Sequence, residues 1–171
     1  MYLDEASLRA AFKDLDGRLK APVRLVVGGG TALMLADHFP VRTTDVDAYP
    51  VGLSMDELDP AIKAVARKLG LPADWINPHF STFAYVLPPD YRQRLRSIFE
   101  GKQLTVEALG PEDLLLMKCF AGRTKDVGHA KALLKRGVDL ALVERRLQDL
   151  LDKRVPKAQD AMDFLDDLQD Q

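Results

Sequence analysis

Leu25-Val-Val-Gly-Gly-Gly-Thr-Ala-Leu33, followed by Arg42-Thr-Thr-Asp-Val-Asp-Ala48, decides how this chain is read. A short apolar run from Val23 to Val27, broken only by Arg24, stops at three glycines and then takes on a helical pattern. A second short run carries Asp45 and Asp47 one residue apart. Residues i and i+2 of a strand point the same way, so these two carboxylates stand side by side. Like charges at that spacing repel unless a cation lies between them. A hard ion such as Mg2+, bound through one or two carboxylates plus substrate phosphates, suits the place. Gly28, Gly29 and Gly30 supply the other half of the pattern. Lacking side chains, they let backbone N–H groups and the start of a helix approach an anion closely.

A third stretch stands downstream: Glu112-Asp-Leu-Leu-Leu-Met-Lys118-Cys-Phe-Ala-Gly-Arg123-Thr-Lys125-Asp126. A lysine inside that apolar helical pattern must find an anion or extend out to water. Gly29 to Leu33, Arg42 to Asp47 and this block, in that order, resemble the nucleotidyltransferase superfamily with the polymerase-β-like palm. Within it the chain most resembles the AbiEii/MenA-type nucleotidyltransferase-like proteins, many of which are toxins of toxin–antitoxin pairs. The resemblance spans about residues 20 to 136.

That resemblance implies an α+β fold: a palm-like core over residues 1–110, with a small mixed sheet and helices, and a helical C-terminal part over 111–171 packed on it. It implies that Asp45 and Asp47 hold one or two Mg2+ ions and that Gly29, Gly30 and Thr31 hold the phosphates of an NTP. Lys118 would neutralise the leaving pyrophosphate, with Arg123 and Lys125 as further phosphate contacts. Asp126 would cap the next helix, orient Lys118, or both, the cap being the simpler role. Glu107 is the candidate for a third metal carboxylate, with a plain exposed strand glutamate as the equal alternative. The implied reaction moves a nucleoside monophosphate from an NTP to a hydroxyl of RNA such as tRNA, or of a protein, and a neutralising antitoxin is the implied partner. A catalytically silent nucleotide- or partner-binding relative and an antibiotic-type small-molecule nucleotidyltransferase are the alternatives.

Composition narrows the setting. At 171 residues the chain makes one domain, or one core with a helical appendage, and 47% apolar with 29% charged residues is ordinary for a globular protein. No apolar stretch is long enough to span a bilayer, and the N-terminus Met1-Tyr-Leu-Asp-Glu is acidic rather than signal-like, so a cytoplasmic protein is expected. Leu33 breaks the dinucleotide-binding glycine fingerprint, and no P-loop ending is present. Cys119 reads as a core thiol, and His38, His79 and His129 share no metal spacing. The net charge of −2 conceals a basic middle, where ten Lys/Arg face five acids between Tyr91 and Arg136, and a tail with five Asp and no base from Ala158 onward. A basic middle suits the phosphates of a nucleotide or RNA, though Lys131, Lys135 and Arg136 read equally as solvated helix faces.

Periodicity places the elements. Leu8, Phe12, Leu15 and Leu19 predict a first helix ending near Ala21-Pro22. A strand over 23–27, a helix over 31–39, a strand over 44–49 and a helix from an Ser54 cap to Gly70 follow. Leu71 to Asp90 reads as irregular apart from a short strand through Phe83-Ala-Tyr-Val86. Here Trp75 and Tyr85 either stack on a base or fill the core. A hairpin of strands over 96–99 and 104–109 leads to helices over 111–121, 126–135, 139–153 and 157–169.

Overall fold

The computed structural model describes residues 2–170, whose contacts divide them into two units. The first unit comprises residues 2–82 with Arg94–Leu109, and the second Phe83–Gln93 with residues 110–170. Together they give the expected α+β class.

In the first unit, β1 (Val23–Val27), β2 (Val46–Val51), β3 (Ile76–Asn77), β4 (Arg96–Glu100) and β5 (Leu104–Ala108) form one mixed sheet in the order β3-β2-β1-β5-β4. Central β1 runs antiparallel to β2, with Val26 opposite Tyr49, and parallel to β5, with Val26 opposite Glu107. Alternation then sorts the side chains. Leu25, Val27, Val46, Ala48, Leu104, Val106 and Ala108 line one fully buried face. Asp47, Tyr49, Val26 and Glu107 share the other.

Three helices accompany the sheet: α1 (Glu5–Asp16), α2 (Gly29–Asp37) and α3 (Met55–Leu69). From α1, the buried ring of Phe12 lies 6.1 Å from Trp75 and 5.8 Å from Phe99. Trp75 is itself fully buried, with its indole N–H donating to the Ile62 carbonyl at 3.1 Å. It fills the core and offers no face to a base. α3 opens on a reciprocal Ser54–Glu57 capping box and closes at Gly70, whose φ of 67° is left-handed.

Several boundaries differ from expectation. α1 stops at Asp16, because Gly17 caps it and Asp16 turns toward the β4–β5 hairpin. β2 continues through Pro50, which lies beyond the reach of β3, so its missing N–H removes no ladder bond. β3 itself was not anticipated. Phe83 to Val86 belongs to a 3-10 helix, His79–Val86, and not to a strand. The hydroxyls of Ser81 and Thr82 donate to the carbonyls of Pro78 and His79, local bonds that hold the turn.

The second unit is helical: α4 (Pro111–Ala121), α5 (Val127–Lys135), α6 (Leu140–Asp152) and α7 (Ala158–Gln169). Ala161, Leu165 and Leu168 of α7 are buried against α4 and α6, while Phe164 is half-buried and the aspartates face outward. Arg146 ties residues 83–93 to α6 by donating to the carbonyls of Val86 and Leu87 at 2.7 and 2.9 Å. Cys119 is buried in α4, and burial pushes its thiol up to about 12, far from a reactive thiolate. No described helix is long and apolar enough to cross a membrane.

The hairpin is held by one carboxylate. Asp16 Oδ1 accepts the N–H groups of Gln103 and Leu104 at 2.7 and 2.8 Å, and Oδ2 that of Lys102 at 3.1 Å. These bonds, Gln103 first, hold the Asp16 carboxyl below its usual range. Its stabilisation is therefore complete above the unfolded value of about 3.9 and is lost as pH falls through the lower folded value. Asp16→Ala should cost about 2 kcal/mol in urea denaturation at neutral pH. Its difference from wild type should shrink in acid.

Candidate active site

Two short segments meet where β1 ends. Gly28 caps α2, and its N–H donates to the carbonyl of Asp47 at 2.9 Å, joining the glycine turn to the carboxylate strand. Gly29 takes a φ of 58°, and a Cβ built on it would stand 2.7 Å from Asp47 Oδ2. A Cβ on Gly30 would lie 3.1 Å from the Thr43 side chain. The glycines therefore serve two purposes at once: a left-handed turn at Gly29, and a close approach to the Asp47 carboxylate that an added Cβ would push aside.

Asp45, at the entrance to β2, is held from three directions. Its backbone carbonyl accepts the hydroxyls of Thr31 at 3.2 Å and Thr43 at 2.8 Å. Its Oδ2 accepts the side-chain amide of Asn77 at 3.0 Å. Thr43 is fixed in turn by Leu3, whose N–H donates to its carbonyl at 2.7 Å. Thr31 is fully buried, and its hydroxyl is committed to the Asp45 carbonyl.

Both carboxylates are half-buried; Asp47 lies in β2, while Asp45 lies in the bend just before the strand. As a donor set they fit Mg2+, which takes hard oxygens and is commonly held by one or two carboxylates with substrate phosphates completing the shell. The Gly29 turn gives the Asp47 carboxylate room that a side chain would fill.

The third acid does not join them. Glu107 shares the sheet face of Asp47 but stands across β1 from β2, about 10 Å away by strand spacing. Its carboxylate is engaged by Arg24 in a two-point ion pair, with Nη2 at 2.8 Å from Oε1 and Nε on Oε2. Among the described residues no group of three or more His, Cys, Asp or Glu is gathered as a metal site. The expected Glu107 ligand is thus displaced by an arginine that answers its charge across neighbouring strands.

The remaining candidates lie in the second unit. Lys118 is only 6% exposed and Asp126 1%. The lysine Nζ donates to Asp126 Oδ1, while Arg123 Nε donates to Oδ2 at 2.6 Å. Asp126 occupies the N-cap position of α5 but makes no side-chain cap bond there. The capping role expected of its side chain gives way to the orientation of Lys118, because two cations outcompete a backbone N–H for the same oxygens. Burial raises the Asp126 carboxyl, yet the bonds from Arg123 and Lys118 outweigh it and hold the group below its usual range. Lys125 is exposed. Nearby His129 is kept below its ordinary value by burial first and by the Lys118 charge second, so its imidazole is neutral at neutral pH.

Sequence reading missed Asn77, which carries no motif and sits in a proline-rich stretch. Thr43 lies inside the quoted Arg42-Thr-Thr-Asp45 segment, but its bond to Asp45 is visible only in three dimensions.

A family model described as "Nucleotidyltransferase of unknown function (DUF6036)" matches residues 6–167. No curated protein and no solved structure matches the chain.

Two substitutions separate the roles of the glycine turn. Gly29→Ala should destabilise the protein by more than the roughly 1–2 kcal/mol of a left-handed alanine, since it also displaces Asp47. Gly52→Ala, at φ 84° with nothing within 4 Å of the added methyl, should show the conformational cost alone. Urea denaturation of both, side by side, isolates the Asp47 contact. In the second unit, Lys118→Met should cost about 3 kcal/mol by leaving a buried acid short of a partner. Adding Asp126→Leu should restore most of that loss in a denaturation cycle.

Proposed function

Because the chain belongs to the family described as Nucleotidyltransferase of unknown function (DUF6036), we propose that it is a Mg2+-dependent nucleotidyltransferase using an NTP. The acceptor's hydroxyl oxygen bonds to the α-phosphorus, the bond to the α–β bridging oxygen breaks, pyrophosphate leaves, and the hydroxyl proton passes to solvent. The observation that carries this reading is the contact of the Gly29 turn with Asp47, on the strand where Asp45 is held by Thr31, Thr43 and Asn77. A phosphate cradle and a carboxylate pair at one strand end is what transfer from a triphosphate requires.

Asp45 and Asp47 would hold the ion, which when bound would offset the negative charge of the triphosphate and make the acceptor hydroxyl easier to deprotonate. The backbone of Gly29 and Gly30, ahead of the buried Thr31, would receive phosphate oxygens and restrict their orientation. In the second unit, Arg123 and Lys125 at the surface are a proposed anion-binding pair, beside a buried Lys118 oriented by Asp126. The proposed acceptor is a hydroxyl of RNA such as tRNA, or of a protein side chain. The likeness to AbiEii/MenA-type toxins extends the reading to a toxin restrained by a protein partner.

One observation favours a second reading. Glu107 is engaged by Arg24, and no third acid joins Asp45 and Asp47 among the described residues, which fits a silent relative that binds nucleotide without transferring it.

Incubation with labelled NTPs, Mg2+, total cellular RNA and protein distinguishes the two. Transfer should label one class of macromolecule and release pyrophosphate. No pyrophosphate with any acceptor supports the silent relative, and turnover only on aminoglycoside-like hydroxyls would assign a small-molecule enzyme. Asp45→Asn with Asp47→Asn should abolish transfer while the melting temperature stays equal or rises slightly, because two adjacent negative charges are removed. Normal turnover in that double variant would remove the carboxylates from the reaction.

A further inference from the structure

Asn77 is 7% exposed, sits on the two-residue edge strand β3, and is opposite Asp47 in register. Its side chain makes two directed contacts. Nδ2 donates to Asp45 Oδ2 at 3.0 Å, and Oδ1 accepts the His79 N–H at 3.1 Å. The second contact settles the first. Oδ1 can only accept, and His79 N–H can only donate, so the amide has one orientation and its N–H must point at Asp45. Pro78 follows directly, and the residue before a proline is confined to extended backbone, which keeps Asn77 in place.

The chemistry of this donor matters as much as its position. A lysine or arginine there would also bond the carboxylate, but would bring a competing positive charge to the atom meant to bind a cation. A neutral amide orients the carboxylate and leaves its charge intact. One bond to Oδ2 fixes the rotation of the carboxylate and leaves lone pairs on both oxygens for a metal ion.

We propose that Asn77 is a positioning residue for the metal ion, holding the Asp45 carboxylate in the orientation that binds the divalent cation without neutralising it. This inference rests on the metal role proposed above for Asp45, and it goes beyond that role by assigning metal affinity to a residue that touches neither nucleotide nor ion. Outer partners of metal-binding carboxylates typically change metal affinity by about 10- to 100-fold when removed.

The test uses the full chain and Mn2+ as a spectroscopic stand-in for Mg2+. Asn77→Leu keeps the volume and deletes both hydrogen bonds, and Asn77→Ser provides a smaller variant should the leucine not fold. Mn2+ binding followed by electron paramagnetic resonance should weaken by about 10-fold or more in either folded variant. Where transfer is measurable, the Mg2+ concentration for half-maximal rate should rise by a similar factor, and saturating metal should restore most of the turnover. A purely structural residue would instead lower turnover at every metal concentration with Mn2+ affinity unchanged, and that result overturns the proposal. Wild-type protein that takes up no Mn2+, with or without NTP, overturns the proposal together with the metal assignment. Weakened Mn2+ binding in a protein without transfer activity upholds Asn77 and removes the reaction.

Discussion

The carbonyl of Asp45 gathers hydroxyls from Thr31 at the start of α2 and Thr43 in the preceding loop, while Gly28 bonds the carbonyl of Asp47. These three bonds lock the strand that carries the acids to the turn that follows β1. Under the proposed function neither segment is a site alone: the acids supply charge, and the glycine turn supplies the place for phosphate. Thr31 is fully buried, so its hydroxyl has no water to return to, and its bond to Asp45 is costly to break. The bond from Gly28 to Asp47 then sets the start of β2 beside the end of β1.

Carboxylates in this chain are satisfied in three ways, and the way chosen follows what each is for. Asp16 takes backbone N–H groups and fastens a hairpin. Asp126 takes two cations and becomes the centre of a buried ion cluster. Asp45 takes a neutral amide on its side chain. The amide on Asp45, like the backbone N–H groups on Asp16, orients a carboxylate without placing a cation on it, which is the condition a cation site needs. Glu107 belongs with Asp126, since Arg24 has already answered its charge.

Legibility from sequence followed the range of the interactions involved. β1, α3 and α4 were readable because apolar period, an Ser54 cap, Gly70 and Pro111 all act within a few residues. The turn at Gly29 and the acids at Asp45 and Asp47 were readable as residue types. The 3-10 helix through Phe83 was misjudged because aromatic and β-branched residues suggest a strand, whereas the local bonds of Ser81 and Thr82 fix a turn. β3 has two residues and therefore no period to detect. Asn77 meets Asp45 across 32 positions of sequence, and Arg24 meets Glu107 across 83, separations at which pattern carries no information about pairing.

The geometry at Gly29 also says how this protein changes over generations. Every single-base change in a glycine codon that alters the amino acid gives a residue with a Cβ, and at a φ of 58° each of these is strained and driven toward Asp47. Aspartate, the one such replacement that tolerates left-handed backbone, would bring a second negative charge against Asp47. Every substitution one base away therefore bears directly on the carboxylate that the turn supports.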